Sequence, residues 1–240
     1  MEGHDKDTTI KIVNLNSHIT KAVNVDTTSE EGIKRAHDLG LVQSGLADVI
    51  YTHLLHPSTL LFENTNYKGR LFALFRHPID RAISMYYYLQ KATWERTYDK
   101  SLNQISLLEY AKSDKAEHNW MVRILVNKLM GGVHDDDLMV AKEIMRDKCV
   151  IGLYDNLSES IGRFESYFHW KFGSNDQKKC QDDLLNHGVN RNKHPAIDET
   201  SEAYQVLYQN NELDIQLYEY VVQLYDEQGY WFDLKAGVTC

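Results

Sequence analysis

Positive charge is scarce in this chain of 240 residues: 26 Lys and Arg stand against 35 Asp and Glu, a formal net charge of −9. That balance excludes a general binder of nucleic acid or of anionic membrane surfaces, which would carry a basic face. Any anionic ligand must therefore be met by local charge. Long apolar runs are also missing. None approaches the about 18 residues that cross a bilayer, and residues 1–16 hold no apolar core of a secretory signal, so the chain reads as soluble, with no membrane segment. Cysteine is limited to Cys149, Cys180 and Cys240, which cannot all pair within one chain. No CxxC motif or Cys/His cluster points to zinc, and no metal is expected. Repeats, linkers and low-complexity tracts are absent too. A single domain over residues 1–240 is the reading these absences favour, and 42% hydrophobic content suits a domain with a real core.

What is present alternates short apolar strands with longer helical patterns. IKIVNL (10–15) and AVNV (22–25) read as strands, and EEGIKRAHDLGL as a helix capped by Thr27–Ser29 and closed at Gly40. DVIYTHLL (48–55) reads as a strand running toward Pro57, and RLFALF (70–75) as another. From there the chain is helix-rich: 78–91, 105–113, 118–130 and 138–147, then the apolar strand CVIGLY (149–154) and a helix with Ile161, Phe164 and Phe168 on one face. Residues 173–200 read as a polar surface loop and 201–227 as one long helix. The predicted class is α/β, a parallel sheet flanked by helices with a helix-rich C-terminal half.

One stretch carries more than fold information. In LFALFRHPIDRAISMYYYLQ (71–90) an apolar strand stops at Arg76, and Pro78 opens a helix directly after it. Ligands of parallel sheets collect at the carboxyl ends of strands. A guanidinium emerging there faces a helix start with free N–H groups and partial positive charge, and Ser84 lies two turns further on. Arginine, hydroxyl and helix terminus together suit a phosphate. A strand–turn–helix junction with solvated arginines is the plainer alternative.

The pattern R-x-P-x-x-R-x-x-S-x-Y-Y formed by Arg76, Pro78, Arg81, Ser84, Tyr86 and Tyr87 resembles the 3′-phosphate-binding segment of sulfotransferases that use 3′-phosphoadenosine 5′-phosphosulfate (PAPS). HNWMVRILVNK, CVIGLYDNLSESIGRFESYF and NNELDIQLYEYVVQLYDEQ resemble later segments of Golgi-type carbohydrate sulfotransferases, so the likeness spans roughly residues 48–232. The resemblance implies a P-loop-like fold, PAPS as co-substrate without a metal, and a hydroxyl acceptor that is most simply a carbohydrate. It assigns the nucleotide's 3′-phosphate to Arg76 and Ser84, with Arg81 a further candidate. The family's glycine- and lysine-containing loop for the 5′-phosphosulfate has no counterpart before residue 70, and the early cluster DTTSEEG is acidic. That departure implies either a missing N-terminal piece or a non-catalytic nucleotide- or glycan-binding relative. Family members work in the Golgi lumen behind an N-terminal anchor, which this chain does not show.

Sulfuryl transfer also needs a base, for which histidine suits neutral pH. His53, 23 residues before Arg76, is the first candidate and His56 the second; either can equally be a satisfied loop histidine. The basic loop NHGVNRNKHP supplies Asn190, Arg191 and Lys193, with His187 and His194, as candidates to close over nucleotide or acceptor. Lys91 and Arg96 follow the clamp helix and most simply decorate the surface. HDDD (134–137) reads as an acidic helix start, not a metal site.

Overall fold

A computed structural model describes residues 6–14, 21–63, 66–95, 97–187, 195 and 197–236. The chain divides into two compact units, Met1–Arg70 and Leu71–Cys240.

In the first unit, β1 (Ile12–Asn14) and β2 (Lys21–Val23) pair antiparallel, with Val13 opposite Ala22. Buried Asn24 follows β2 with both ends of its amide engaged. It accepts the Lys11 N–H at 2.8 Å and donates to the Asp7 carboxylate at 2.8 Å and the Thr9 carbonyl at 3.1 Å. α1 (Glu30–Asp38) begins at Ser29, whose hydroxyl accepts the Gly32 N–H, and Glu30 and Glu31 suit the positive end of its dipole. A side chain on Gly32 would place Cβ 1.8 Å from the Asp26 carbonyl oxygen, so only glycine fits there. Gly40 turns the chain at φ 73° into α2 (Leu41–Ser44), and α3 (Leu55–Ser58) comes next. Ile33, Ala36, Leu41 and Leu61 close a small core with Val23 and Val25.

The strand expected over 48–55 does not form. Thr27 donates its hydroxyl to the Tyr51 carbonyl, and the Thr52 hydroxyl accepts the Leu54 N–H at 2.9 Å, which bends the segment into a turn. Ile50 and Leu54 drop onto the core one at a time instead of forming an alternating face.

The second unit is built on β3 (Leu71–Phe75) and β4 (Cys149–Leu153), paired in parallel with Leu71 opposite Cys149 and Phe75 opposite Leu153. Between them run α4 (Pro78–Leu89), α5 (Leu107–Ala111), α6 (Trp120–Leu125) and α7 (Asp135–Lys148). After β4 come α8 (Leu157–Phe168), α9 (Asn175–His187), α10 (Glu202–Asn210) and α11 (Glu212–Ala236). The class is thus α/β and helix-rich, with a parallel pair as its centre. β4 is buried along its whole length, with α7, α8 and α11 packed on it. Phe72 of β3 meets Phe164 and Phe168 of α8 edge-on, with ring centroids 5.1 and 5.3 Å apart.

The outer edge of β4 is closed by side chains. Gln228 of α11 accepts the Ile151 N–H at 2.9 Å and donates to the Cys149 carbonyl at 2.9 Å. The Ser160 hydroxyl accepts the Leu153 N–H at 2.9 Å and donates to the Leu153 carbonyl at 3.0 Å. Both residues are buried, so two side chains satisfy what a neighbouring strand would otherwise satisfy. On the other side, alternation points the Leu74 backbone away from β4, and the Leu74 side chain is 44% exposed.

Three helical expectations are corrected. Residues 118–130 are helical only over α6, because Asn119 and Asn127 take left-handed backbone at either end. Residues 175–187, expected as loop, form α9. Its Lys, Gln and Leu residues favour helix without an apolar stripe to announce it, and Ser174 accepts the Gln177 N–H at its start. The long helix expected over 201–227 breaks at Asn211, whose side-chain amide donates to the Leu207 carbonyl. That break belongs to a reciprocal cap. The Asn119 side chain accepts the N–H groups of Leu213 at 2.9 Å and Asp214 at 3.1 Å at the start of α11, while Asp214 accepts those of Met121 and Val122 at the start of α6, both at 2.9 Å.

Candidate functional site

β3 delivers Arg76 to the carboxyl end of the parallel pair, as its apolar run requires. Register carries through the strand ends: Arg76 follows Phe75 as Tyr154 follows Leu153, and the Arg76 guanidinium lies over the Tyr154 ring, 5.1 Å from its centroid. The guanidinium is half-buried, and among the described residues it has neither a hydrogen-bond acceptor nor an ion-pair partner. The next residue, His77, precedes α4 and gives that helix no side-chain cap; its ring meets Tyr218 of α11 edge-on at 5.4 Å. Pro78 occupies the first helical position, where its missing N–H costs nothing.

Ser84 lies two turns into α4. Helical spacing sets it opposite the buried stripe of Ile79, Ala82, Ile83 and Tyr86, on the flank shared with Asp80 and Arg81. Its hydroxyl likewise has no hydrogen-bond partner among the described residues. No direct contact joins it to Arg76.

The rim also carries negative charge. Burial pushes the Tyr218 phenol above its ordinary range, and the neighbouring Asp155 and Asp80 carboxylates push it further. The sequence reading missed Tyr154, Asp155 and Tyr218. Tyr154 was within reach of register alone, since it ends the strand that pairs with β3.

Arg81 is engaged elsewhere. It forms a two-pronged ion pair with Glu117, one prong at 2.8 Å, and its guanidinium stacks on Trp120 at 4.0 Å from the ring centroid. Its fork is committed within the second unit.

His53 and His56 belong to the first unit, and Arg76, Ser84 and Arg81 to the second. His53 is exposed on a bend, and His56 lies half-buried in α3. Asn190, Arg191, Lys193 and His194, like Arg96, lie outside the described residues; His187 ends α9.

The segment DTTSEEG is a helix-capping device. Asp26 accepts the Thr28 N–H at 2.9 Å and the Thr28 hydroxyl at 2.7 Å, which hold its carboxyl below the usual carboxylate range. Ser29 is occupied by Gly32, and the segment itself contains no lysine. HDDD is likewise a capped start: the His134 N–H donates to Asp137 at 2.8 Å, and Lys128 pairs with the same carboxylate.

Comparison of the chain with models of known families, with curated proteins and with solved structures finds no match.

Proposed function

We propose that this chain is a relative of PAPS-dependent sulfotransferases that holds the 3′-phosphate of the nucleotide at the rim of its β3–β4 pair. One observation carries the reading: a half-buried arginine with no acceptor among the described residues stands at a strand's carboxyl end, ahead of a helix start without a side-chain cap. A free guanidinium and free helix N–H groups are the donors a phosphate dianion requires. Arg76 would take two phosphate oxygens, and Ser84 would donate its hydroxyl once the ligand bridges to it. The Tyr154 ring would hold the guanidinium in place meanwhile. The P-loop-like fold that the family implies belongs to the same reading.

In the full reaction a sulfuryl group passes from PAPS to an acceptor hydroxyl, a carbohydrate being the simplest acceptor. The S–O bond to the nucleotide breaks, a new S–O bond forms, and a base takes the hydroxyl proton. His53, then His56, are the candidates for that base, and Asn190, Arg191 and Lys193 for closing over the ligand.

The 5′-phosphosulfate fits less well. In DTTSEEG, Ser29 caps α1, Thr28 is held by Asp26 and Thr27 donates to the Tyr51 carbonyl, and the segment offers acids where a sulfate needs cations, so no step is assigned through it. This favours a second reading, a nucleotide- or glycan-binding relative without catalysis. Calorimetry with adenosine 3′,5′-bisphosphate tests what the two share. The nucleotide should bind the wild-type chain, and Arg76→Ala should weaken binding at least about tenfold, the loss of one charge-assisted contact. Unchanged affinity in Arg76→Ala, or no binding by the wild type, overturns both. PAPS turnover then separates catalyst from binder.

A further inference from the structure

We propose that the open groove beside Trp120 is a binding site for a ring-bearing anion: one flat ring laid on the indole and one anionic group taken by Arg123. The groove has a volume of about 580 Å³ and is lined by Trp120, Leu129, Met130, Lys112, His118 and Arg123, with Asp114 the one acid. In a chain of net charge −9, that lining sets two cations, Lys112 and Arg123, against one acid.

Its two principal parts are held before any ligand arrives. The indole is fixed on one face by the Arg81 guanidinium, itself locked by Glu117, and its helix start is pinned by Asp214. Trp120 nevertheless remains 39% exposed. The Arg123 guanidinium is fixed by two bonds to backbone carbonyls, Nε to His118 at 2.8 Å and Nη1 to Lys128 at 3.1 Å. Nη2 has no partner among the described residues. Leu129 and Met130 are 60% and 85% exposed, large apolar side chains with no packing duty that would explain them. A preset aromatic face, a preset cation and free apolar flanks are what a ligand with a flat apolar face and a charged edge needs. Lys112 is held on the groove wall by Glu202 and His118 is exposed, so both add to the attraction without defining the site.

Two ligand sources share this chemistry, an acidic sugar and a nucleotide, and the test separates them. The 1H–15N indole resonance of Trp120, assigned by its loss in Trp120→Phe, is followed while a sulfated uronate disaccharide or adenosine 5′-monophosphate is added. Saturable movement of that resonance with either probe, below about 10 mM, is expected; affinity in this range corresponds to only about 3–4 kcal/mol. Met130→Glu removes no packing and brings a negative charge to the groove, so it should weaken binding at least fivefold and leave the fold intact. Arg76→Ala should leave it unchanged, because the groove does not use the rim residues. Failure here is therefore distinct from failure of the nucleotide reading above. If neither probe moves the resonance, or if Met130→Glu binds as tightly as wild type, the proposal is overturned.

Discussion

Replacing Asp214 by asparagine should reshape the pH dependence of stability more than its value at neutral pH. Asp214 is 1% exposed, and its carboxylate accepts two backbone N–H bonds of 2.9 Å from the start of α6. Burial dominates those bonds and raises its titration to about 6 from an ordinary 3.8, with Arg81 opposing and Glu117 adding to the shift. A carboxyl so displaced disfavours the ionised folded state by about 3 kcal/mol, at about 1.4 kcal/mol per pH unit. The folded chain binds this proton more tightly than the unfolded chain does. The contribution of Asp214 to stability should therefore rise as pH falls from about 7 to about 4, opposite in sign to ordinary acid denaturation. Below that window the sign turns, because Asp26, Glu109, Asp137 and Asp198 are all held below their usual range, and Asp99 at about 2, and each loses its partners on protonation.

Asparagine cannot ionise, yet its amide offers only one acceptor to two N–H donors. One buried donor is then orphaned at a cost of about 1–3 kcal/mol, which offsets most of what neutrality returns at pH 7. Urea titrations of wild type and Asp214→Asn between pH 4.5 and 7.5 should therefore nearly coincide at pH 7.5 and diverge at pH 4.5, wild type being the more stable there. Parallel pH curves for the two proteins would refute the argument, since they would mean that Asp214 keeps an ordinary titration in the fold.

Gln228→Leu should lower stability by about 2–5 kcal/mol, read as a shift in the urea midpoint, because it strands the Ile151 N–H and the Cys149 carbonyl in the core. Gln228→Glu should be at least as damaging at neutral pH and partly recover in acid. Gly32→Ala should cost about 1–3 kcal/mol or more, the range of overpacking, since its methyl would collide with the Asp26 carbonyl; a neutral result in thermal melts would mean that the α1 cap relaxes freely.

The local features of this molecule were legible from residue types alone. An apolar run ending at Arg76 before a helix-opening proline gives β3 and α4, and Ser29 ahead of two glutamates gives α1. The features that escaped are held by partners far along the chain. Asn211 breaks a long helix because Asn119, over ninety residues earlier, caps the start of α11, and no local propensity encodes that bond. Residues 48–55 have the composition of a strand but no neighbour to pair with, so two threonine hydroxyls decide their path. Of the candidate site, Arg76 and Ser84 were visible as a spacing. The commitment of Arg81 to Glu117 was not, because an arginine on a helix reveals nothing of the carboxylate that finds it.

The glutamine and serine that seal β4 also fix a direction. A sheet finished by side chains on one flank can recruit backbone only along the opposite one, so any additional strand, whether contributed in cis or by another molecule, must enlist beside Leu74. Growth of this sheet is thereby made one-way, and the fully buried member of the pair is shielded from mispairing during assembly.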